Sequence, residues 1–247
     1  MNLTVDIGNT FSKIIVFDDT TPVYRIVSPK LSLQVLKKIV KNFPVENCMV
    51  SSVINIGKPM VDELKRITHC RILSASTIIP LKNRYKTPST LGKDRLANAI
   101  AGAFLFPGKN VLVIDAGTCI KYDFVNSRKE YLGGSISPGV EMRFKAMHHF
   151  TGKLPLVSAS ASKKITGQTT KEALQTGVLI GIEEEIKGFI QRYMNKYKSL
   201  KIILTGGDSF RFAGELNLSI FAAADLVNIG LNEIIRFNAG KKDRSGK

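Results

Sequence analysis

The chain has 247 residues, 44% of them hydrophobic and 23% charged, the composition of a globular protein with room for one large domain or two smaller ones. It has no apolar run of about 18 residues, so we expect no membrane helix, and Asp6 interrupts its first apolar stretch, so we expect no signal peptide. Its three cysteines lack CxxC spacing, which argues against a disulfide framework and a zinc site. We therefore expect reduced thiols in the cytoplasm. The net charge of +16 attracts polyanions, yet the lysines are scattered and no nucleic-acid-binding motif is present, so we expect neither nucleic acid nor a membrane as a partner.

The first half of the chain alternates predicted strands with predicted helices. Residues 3–17 predict a β-hairpin, because alternating apolar residues lead into the polar turn at 8–10 and an apolar strand returns from it. An apolar stripe at helical spacing predicts a helix within 31–43. Further strands are predicted at 49–54 and 71–73, further helices at 60–67 and 94–106, and a loop at 80–92.

The second half opens with the same pattern as the first. Residues 111–125 contain a strand, a Gly117-Thr118 turn and a return strand, with Asp115 in the place of Asp6 and Gly117 in the place of Gly8. The rest of this half predicts a loop at 133–139, helices at 171–197 and 225–237, and a buried strand at 201–204.

A repeat of this length indicates a duplicated domain. Alternating strands and helices indicate an α/β protein. The sequence therefore predicts two similar lobes, 1–109 and 110–247, with a ligand site in the cleft between them and a flexible basic tail at 241–247.

Two short motifs have the features of phosphate-binding turns. Residues 6–10 (DIGNT) and 115–118 (DAGT) each follow a strand. Glycine lets backbone N–H groups approach phosphate oxygens, Asn and Thr add donors, and each aspartate can hold a cation or its water shell. Lys13 adds a positive charge on the first return strand. The alternative is that both are ordinary hairpin turns, but two such motifs in the same strand–turn–strand context favour phosphate binding.

Residues 92–95 (GKDR) have the composition of a substrate site. Asp94 is our candidate for the base that orients a substrate hydroxyl and accepts its proton. Arg95 has the planar fork that binds an anion such as a carboxylate. The alternative for Asp94 is helix capping, because a helix is predicted to start there.

Two glycine-rich segments and a histidine pair each allow a functional and a structural interpretation. Residues 133–139 (GGSISPG) can place backbone amides near a phosphate or form a tight turn, and 206–208 (GGD) can pack against an adenine or connect a strand to a helix. His148 and His149 are adjacent, so they diverge on any regular element, and we interpret them as surface residues rather than metal ligands.

Taken together, residues 6–13 (DIGNTFSK), 92–95, 115–118 and 133–139 resemble the signature motifs of type III pantothenate kinases, in order and spacing, from residue 1 to about 237. The resemblance implies the acetate kinase/sugar kinase/Hsp70/actin fold, with two ribonuclease H-like lobes. It also implies phosphorylation of the terminal hydroxyl of pantothenate by ATP with Mg²⁺, the first step of coenzyme A synthesis.

The resemblance assigns roles to individual residues. It implies that Asp94 is the catalytic base and that Asp115 binds a monovalent cation, potassium or ammonium. The residues that it places on ATP are Asp6, Ile7, Gly8, Asn9, Thr10, Phe11, Ser12, Lys13 and Thr118. Those that it places on pantothenate are Tyr85, Gly92, Lys93, Asp94, Arg95 and Thr170, the last reaching the substrate from the partner subunit of a homodimer.

The sequence departs from the family pattern at two places. Lys121 lies close behind the second turn, where its ammonium can crowd or replace a cation, and Gly167-Gln168-Thr169 precedes Thr170 where Arg-Asn is more usual. Two other functions stay open: a kinase or phosphatase of the same fold with another substrate, and a nucleic-acid-binding or regulatory protein that uses the basic charge.

Overall fold

The computed structural model describes residues 1–160, 165–214 and 220–245. The chain divides into two compact units: residues 1–108, 125–132 and 225–247 form the first, and residues 109–124 and 133–224 form the second. The chain first passes from one unit to the other after residue 108, beside the predicted boundary at 109/110. The last helix, however, belongs to the first unit. That the two lobes are separate domains stays a prediction. Within the described ranges, no helix is both long enough and apolar enough to cross a membrane.

The first unit contains a five-stranded sheet of order β3-β2-β1-β4-β5. Its strands are β1 (Asn2–Ile7), β2 (Ser12–Asp18), β3 (Thr21–Ser28), β4 (Asn47–Ser52) and β5 (Cys70–Ile72). β1 pairs antiparallel with β2 and parallel with β4. β1 is therefore the central strand; its apolar residues Leu3, Val5 and Ile7 are buried on one face, and Thr4 is buried on the other.

Helices cover both faces of this sheet. They are α1 (Leu33–Asn42), α2 (Lys58–Ile67), α3 (Lys93–Leu105) and α6 (Leu226–Ser245). Leu36 of α1 and Leu64 of α2 pack with Val5 in one apolar cluster. Leu96 of α3 and Leu231 of α6 pack with Met49 in the other. A short strand, β6 (Lys82–Asn83), pairs with residues 130–131 in the same unit.

The second unit holds most of a six-stranded sheet of order β11-β10-β7-β8-β9-β6, of which β6 and residues 125–132 belong to the first unit. Its elements are β7 (Asn110–Ala116), β8 (Cys119–Val125), β9 (Glu130–Pro138), α4 (Val140–Phe150), α5 (Thr170–Lys196), β10 (Leu200–Thr205) and β11 (Ile220–Ala222). β10 pairs parallel with both β7 and β11. Leu112 and Ile114 of β7 pack against Val178 and Ile182 of α5 in its core.

The two units share one strand order. In each, the first three strands are sequential neighbours, while the fourth and fifth lie on the other side of the first strand and run parallel to it. The predicted α/β architecture of two ribonuclease H-like repeats is therefore confirmed. The repeated hairpins of the sequence are β1-β2 and β7-β8.

Some local predictions differ from the structure. Residues 133–139 were expected to form a loop but belong mainly to strand β9, and helix α4 was not predicted. His148 and His149 lie exposed in the last turn of α4, as surface residues. The basic tail begins inside a helix, because α6 continues to Ser245, whereas residues 246 and 247 lie outside the described residues.

The crossing of α3 and α6 depends on Gly230. A Cβ at Gly230 would lie 1.9 Å from the backbone oxygen of Ala97, so Gly230→Ala has to push two packed helices apart. We expect it to lower the free energy of unfolding by about 1–3 kcal/mol or more, measured by urea denaturation. Gly240→Ala in the same helix meets no atom within 4 Å and should raise stability by up to about 1 kcal/mol. Equal stability of the two variants would contradict this packing.

Candidate active site

The first candidate turn joins β1 to β2 at the end of the central strand. The backbone N–H of Gly8 donates to the carbonyl of Phe11 at 3.0 Å and closes the turn. Ile7 and Ser12 are buried on either side of it, while Asn9 and Thr10 are exposed at its tip. The sheet thus fixes both ends of the turn and presents its polar tip to solvent, as a phosphate-binding turn requires.

Cationic side chains gather on the strands next to this turn. Lys13 lies opposite Asp6 in the β1-β2 register. The Nζ of Lys13 is 3.8 Å from Oδ1 of Asp225, and Nε of Arg25 is 2.9 Å from Oδ2 of the same carboxylate. Asp225 immediately precedes α6, so the last helix of the unit brings an acidic group to these two cations. Lys13 is expected here from the sequence, whereas no sequence motif pointed to Arg25 or Asp225.

The second candidate turn, between β7 and β8, is packed against the end of β9. The N–H of Gly139 donates to the carbonyl of Thr118 at 3.1 Å. A Cβ at Gly139 would lie 2.2 Å from the carbonyl oxygen of Gly117, so only glycine permits this approach. Thr118 itself is exposed. The structure therefore brings the 133–139 segment to the turn that the sequence singled out.

A second glycine segment packs on the same turn from β10. Gly206 has a left-handed backbone conformation with φ of 96°. A Cβ at Gly206 would lie 2.3 Å from the carbonyl oxygen of Ala116 and 2.6 Å from Oδ1 of Asp115. The N–H of Asp208 donates to the carbonyl of Ala116 at 2.9 Å. The strand-to-turn connection at 206–208 thus forms one wall around Asp115.

Asp115 is a buried carboxylate with a cationic partner. Only 9% of the residue is exposed. Its Oδ2 accepts a hydrogen bond from Nζ of Lys121 at 2.7 Å, and both side chains are largely buried. The predicted metal ligand is therefore already half of an ion pair. Among the residues that the structure describes, no group of three or more His, Cys, Asp or Glu side chains is placed to hold a metal ion.

Asp94 lies in the first turn of α3. Gly92 occupies the N-cap position and accepts the Leu96 N–H at 3.1 Å, so Asp94 is a helical residue rather than the capping one. A Cβ at Gly92 would lie 2.7 Å from Oδ1 of Asp94. The carboxylate thus folds over the glycine, at a helix N-terminus whose dipole favours negative charge. Lys93 Nζ donates to the carbonyl of Leu91 at 3.1 Å.

Arg95 and Tyr85 meet although ten positions separate them in the sequence. The guanidinium carbon of Arg95 lies 5.6 Å from the centre of the Tyr85 ring, within the range of a cation–π contact. Tyr85 in turn lies 6.1 Å, centroid to centroid, from the buried ring of Tyr131. Arg95 is 5% exposed, so a charged group sits in an aromatic environment that strengthens its interaction with an anion.

Thr170 is the first residue of α5 and is exposed. The preceding Thr169 is the N-cap, and its side chain accepts the Glu172 N–H at 3.2 Å. The Glu172 carboxylate accepts the Gln168 N–H at 2.8 Å. The pair resembles a capping box, except that Glu172 bonds the N–H of the residue before the N-cap; it fixes the helix start and leaves Thr170 on the surface.

A partly buried hydrogen-bond network behind the second turn was not visible in the sequence. Glu185 of α5 accepts hydrogen bonds from Tyr122 at 2.8 Å, from Ser137 at 2.5 Å and from Arg143. Arg143 also donates to the Pro138 carbonyl at 2.9 Å. Partial burial opposes ionisation of Glu185, but these donors outweigh it and lower its pKa. Burial and the bond to Glu185 raise the pKa of Tyr122. The network anchors the end of β9 just before Gly139.

A sequence profile of the type III pantothenate kinase family matches residues 2–192. The curated protein of that name from Bacteroides fragilis strain YCH46 is 44% identical over 242 residues, which cover 98% of this chain and 100% of that protein. The type III pantothenate kinase of Christiangramia forsetii is 43% identical over 240 residues, covering 96% of this chain and 99% of that protein.

Solved structures with the same fold are more distant in sequence. A conserved putative Baf family transcriptional activator from Campylobacter jejuni has a TM-score of 0.62 at 23% identity, covering 96% of this chain and 99% of that one. A putative 2-dehydro-3-deoxygalactonokinase from Sinorhizobium meliloti has a TM-score of 0.60 at 15% identity, with the same coverage. At these identities the likeness shows the fold alone, and that fold is the actin-like one expected from the sequence.

Gly139 tests the packing of the second turn. Gly139→Ala should displace the Gly117 and Thr118 carbonyls, because its Cβ cannot fit beside them. We expect the affinity for ATP, measured by calorimetry, to fall by roughly tenfold or more. Gly152→Ala, at an open position of the same unit, serves as the matched control and should bind ATP normally. Unchanged ATP affinity in Gly139→Ala would show that the turn does not contribute to the site.

The Glu185 network predicts a pH-dependent stability difference. The lowered pKa means that ionised Glu185 stabilises the fold above its ordinary pKa of about 4.3, and that this stabilisation disappears as pH falls through the lower folded value. Glu185→Gln should therefore be less stable than the unmodified chain by roughly 1–3 kcal/mol at pH 7. In urea titrations the difference should shrink below about pH 4.

Glu184→Gln provides the comparison for that series. Glu184 is the neighbouring residue of the same helix, but its side chain is 63% exposed and forms a surface ion pair with Lys187. Its substitution should cost less than about 1 kcal/mol. A Glu185→Gln difference that stays constant from pH 7 to pH 3 would contradict the ionised network.

Proposed function

The chain belongs to the type III pantothenate kinase family, and we propose that it transfers the γ-phosphoryl group of ATP to the terminal hydroxyl of pantothenate, giving 4′-phosphopantothenate. The full-length match to curated kinases of this name carries the proposal. The geometry supports it, because each unit has a glycine turn at the end of its central strand and the first unit adds a carboxylate and a buried guanidinium.

Residues 6–13 are proposed to bind the phosphates of ATP. Phosphoryl transfer requires donors and positive charge around oxygens that carry several negative charges. The backbone and exposed tip of this turn provide the donors, and Lys13 provides the charge from the adjacent strand. Thr118 is proposed to contact ATP from the second turn, where it is exposed.

Asp94 is proposed as the base that orients the pantothenate hydroxyl and accepts its proton as the bond to phosphorus forms. Arg95 is proposed to bind the pantothenate carboxylate with Tyr85 beside it, because the cation–π contact fixes the guanidinium plane. Gly92 and Lys93 complete this segment. The proposed base and the proposed anion-binding group are consecutive residues in the first turn of α3.

Mg²⁺ and a positive charge near Asp115 complete the proposed chemistry. Mg²⁺ bound to ATP neutralises charge on the phosphates, with Asp6 as the carboxylate proposed to hold its water shell. The proposal requires one positive charge at the Asp115 carboxylate, which the family resemblance assigns to potassium or ammonium. The proposal includes a cytoplasmic location, where ATP is available to the enzyme.

A homodimer is also part of the proposal. Thr170 is proposed to reach the pantothenate of the partner subunit, and its exposure at the start of α5 supports this role. Sedimentation analysis tests the assembly: a dimer is expected, and a monomer that turns over pantothenate would remove Thr170 from the site.

The proposed reaction is tested by coupled detection of ADP with ATP alone, with pantothenate, and with a panel of other hydroxylated metabolites. Pantothenate-dependent ADP release with a phosphorylated product in the mass spectrum is expected. ADP release with another metabolite and none with pantothenate would favour the second candidate, a kinase of the same fold with a different substrate.

Asp94→Asn tests the base directly. The change removes the proton acceptor and keeps the size of the side chain, so we expect kcat to fall by roughly 10²–10⁴ while ATP affinity stays unchanged. Asp62→Asn makes the same chemical change at an exposed position of α2 in the same unit and should leave kcat unaltered. Near-normal turnover of Asp94→Asn would remove Asp94 from the chemical step.

A further inference from the structure

The Asp115 carboxylate already has a cation beside it, and that cation belongs to the chain. Lys121 Nζ lies 2.7 Å from Oδ2 of Asp115, the distance of a charge-assisted hydrogen bond. The side chains of Lys121 and Asp115 are only 17% and 12% exposed. A buried pair of this kind persists at ionic strengths that screen surface pairs, so the ammonium is a stable part of the site.

The other oxygen of Asp115 faces a closely packed backbone. A Cβ at Gly206 would lie only 2.6 Å from Oδ1, so little space separates the carboxylate from the 206–208 segment. The nearby carbonyls of Ala116, Thr118 and Cys119 each accept a backbone hydrogen bond. Protein sites for a bare monovalent ion use several oxygens to replace its water shell. Here one carboxylate oxygen is engaged by Lys121, and each of these carbonyls already has an N–H donor.

The first hairpin has the same arrangement of charge. Lys13 of β2 lies directly opposite Asp6 of β1, as Lys121 of β8 pairs with Asp115 of β7. In the first hairpin the lysine ammonium also approaches Asp225, and in the second hairpin the ammonium lies within hydrogen-bonding distance of the turn aspartate. A lysine on the return strand thus supplies the positive charge at the end of the central strand in each unit.

We propose that the Lys121 ammonium is a built-in monovalent cation at Asp115, so that this chain binds and uses ATP without added potassium or ammonium. The inference rests on the proposed kinase function for its turnover readout. An ammonium group carries the same single positive charge as potassium, and its covalent attachment keeps it at the site at any salt composition. The residues around Asp115 therefore fit a lysine better than a bound ion.

The test compares cations at constant ionic strength. ATP affinity by calorimetry and kcat/KM for ATP are measured in N-methylglucamine chloride, potassium chloride and ammonium chloride. The unmodified chain should give the same values within about twofold in all three. Lys121→Met removes the charge but keeps an unbranched side chain; in N-methylglucamine it should lose roughly tenfold or more in ATP affinity, and potassium or ammonium should restore part of it.

Two further variants keep the test decisive. Lys121→Arg retains the charge and should stay independent of potassium. Lys153→Met makes the methionine change at an exposed loop position of the same unit and should match the unmodified chain. Potassium dependence of the unmodified chain would overturn the inference, as would full ATP affinity of a folded Lys121→Met in N-methylglucamine. The calorimetric measurement of ATP affinity does not depend on pantothenate turnover, so it tests the inference even if the proposed reaction fails.

Discussion

The site of the second unit depends on how closely backbone can approach backbone at the end of β7. Gly139 and Gly206 come from distant parts of the chain, and both press against carbonyls of residues 116–118 at distances that exclude any side chain. This contact fixes the turn that carries Thr118 and encloses the Asp115 carboxylate. A phosphate-binding turn gains from such rigidity, because donors held in place need no reorganisation when the ligand arrives. The Glu185 network stabilises the same contact from behind by anchoring β9.

The two hairpins carry an aspartate and a lysine at equivalent positions. Each central strand has an aspartate as its next-to-last residue, and each return strand brings a lysine to that end of the sheet. In the first unit, Asp225 engages Lys13 and Arg25 together. In the second, the Lys121–Asp115 ion pair lies near the end of the strand. The two repeats thus place a lysine at equivalent positions and surround it with different residues.

Local sequence patterns were sufficient for much of the fold. Alternating apolar residues and polar turns predicted both hairpins, and helical periodicity predicted α3 and α5 to within one residue at each end. The prediction failed at β9, where two glycines and a proline resembled turn signals. Gly134 is needed there because a Cβ would lie 1.6 Å from the carbonyl of Tyr122. The contacts of Asp225 and Glu185 could not be foreseen, since Arg25 and Asp225 are 200 positions apart and their pairing arises only from tertiary packing.

The most direct test of the proposed function is a crystal structure of the chain with a non-hydrolysable ATP analogue, Mg²⁺ and pantothenate. The account predicts the phosphates on the backbone of residues 8–13. It also predicts the terminal hydroxyl of pantothenate within hydrogen-bonding distance of Asp94 and its carboxylate on Arg95. A complex in which the hydroxyl lies on a different side chain, or in which the phosphates lie away from the first turn, would contradict it.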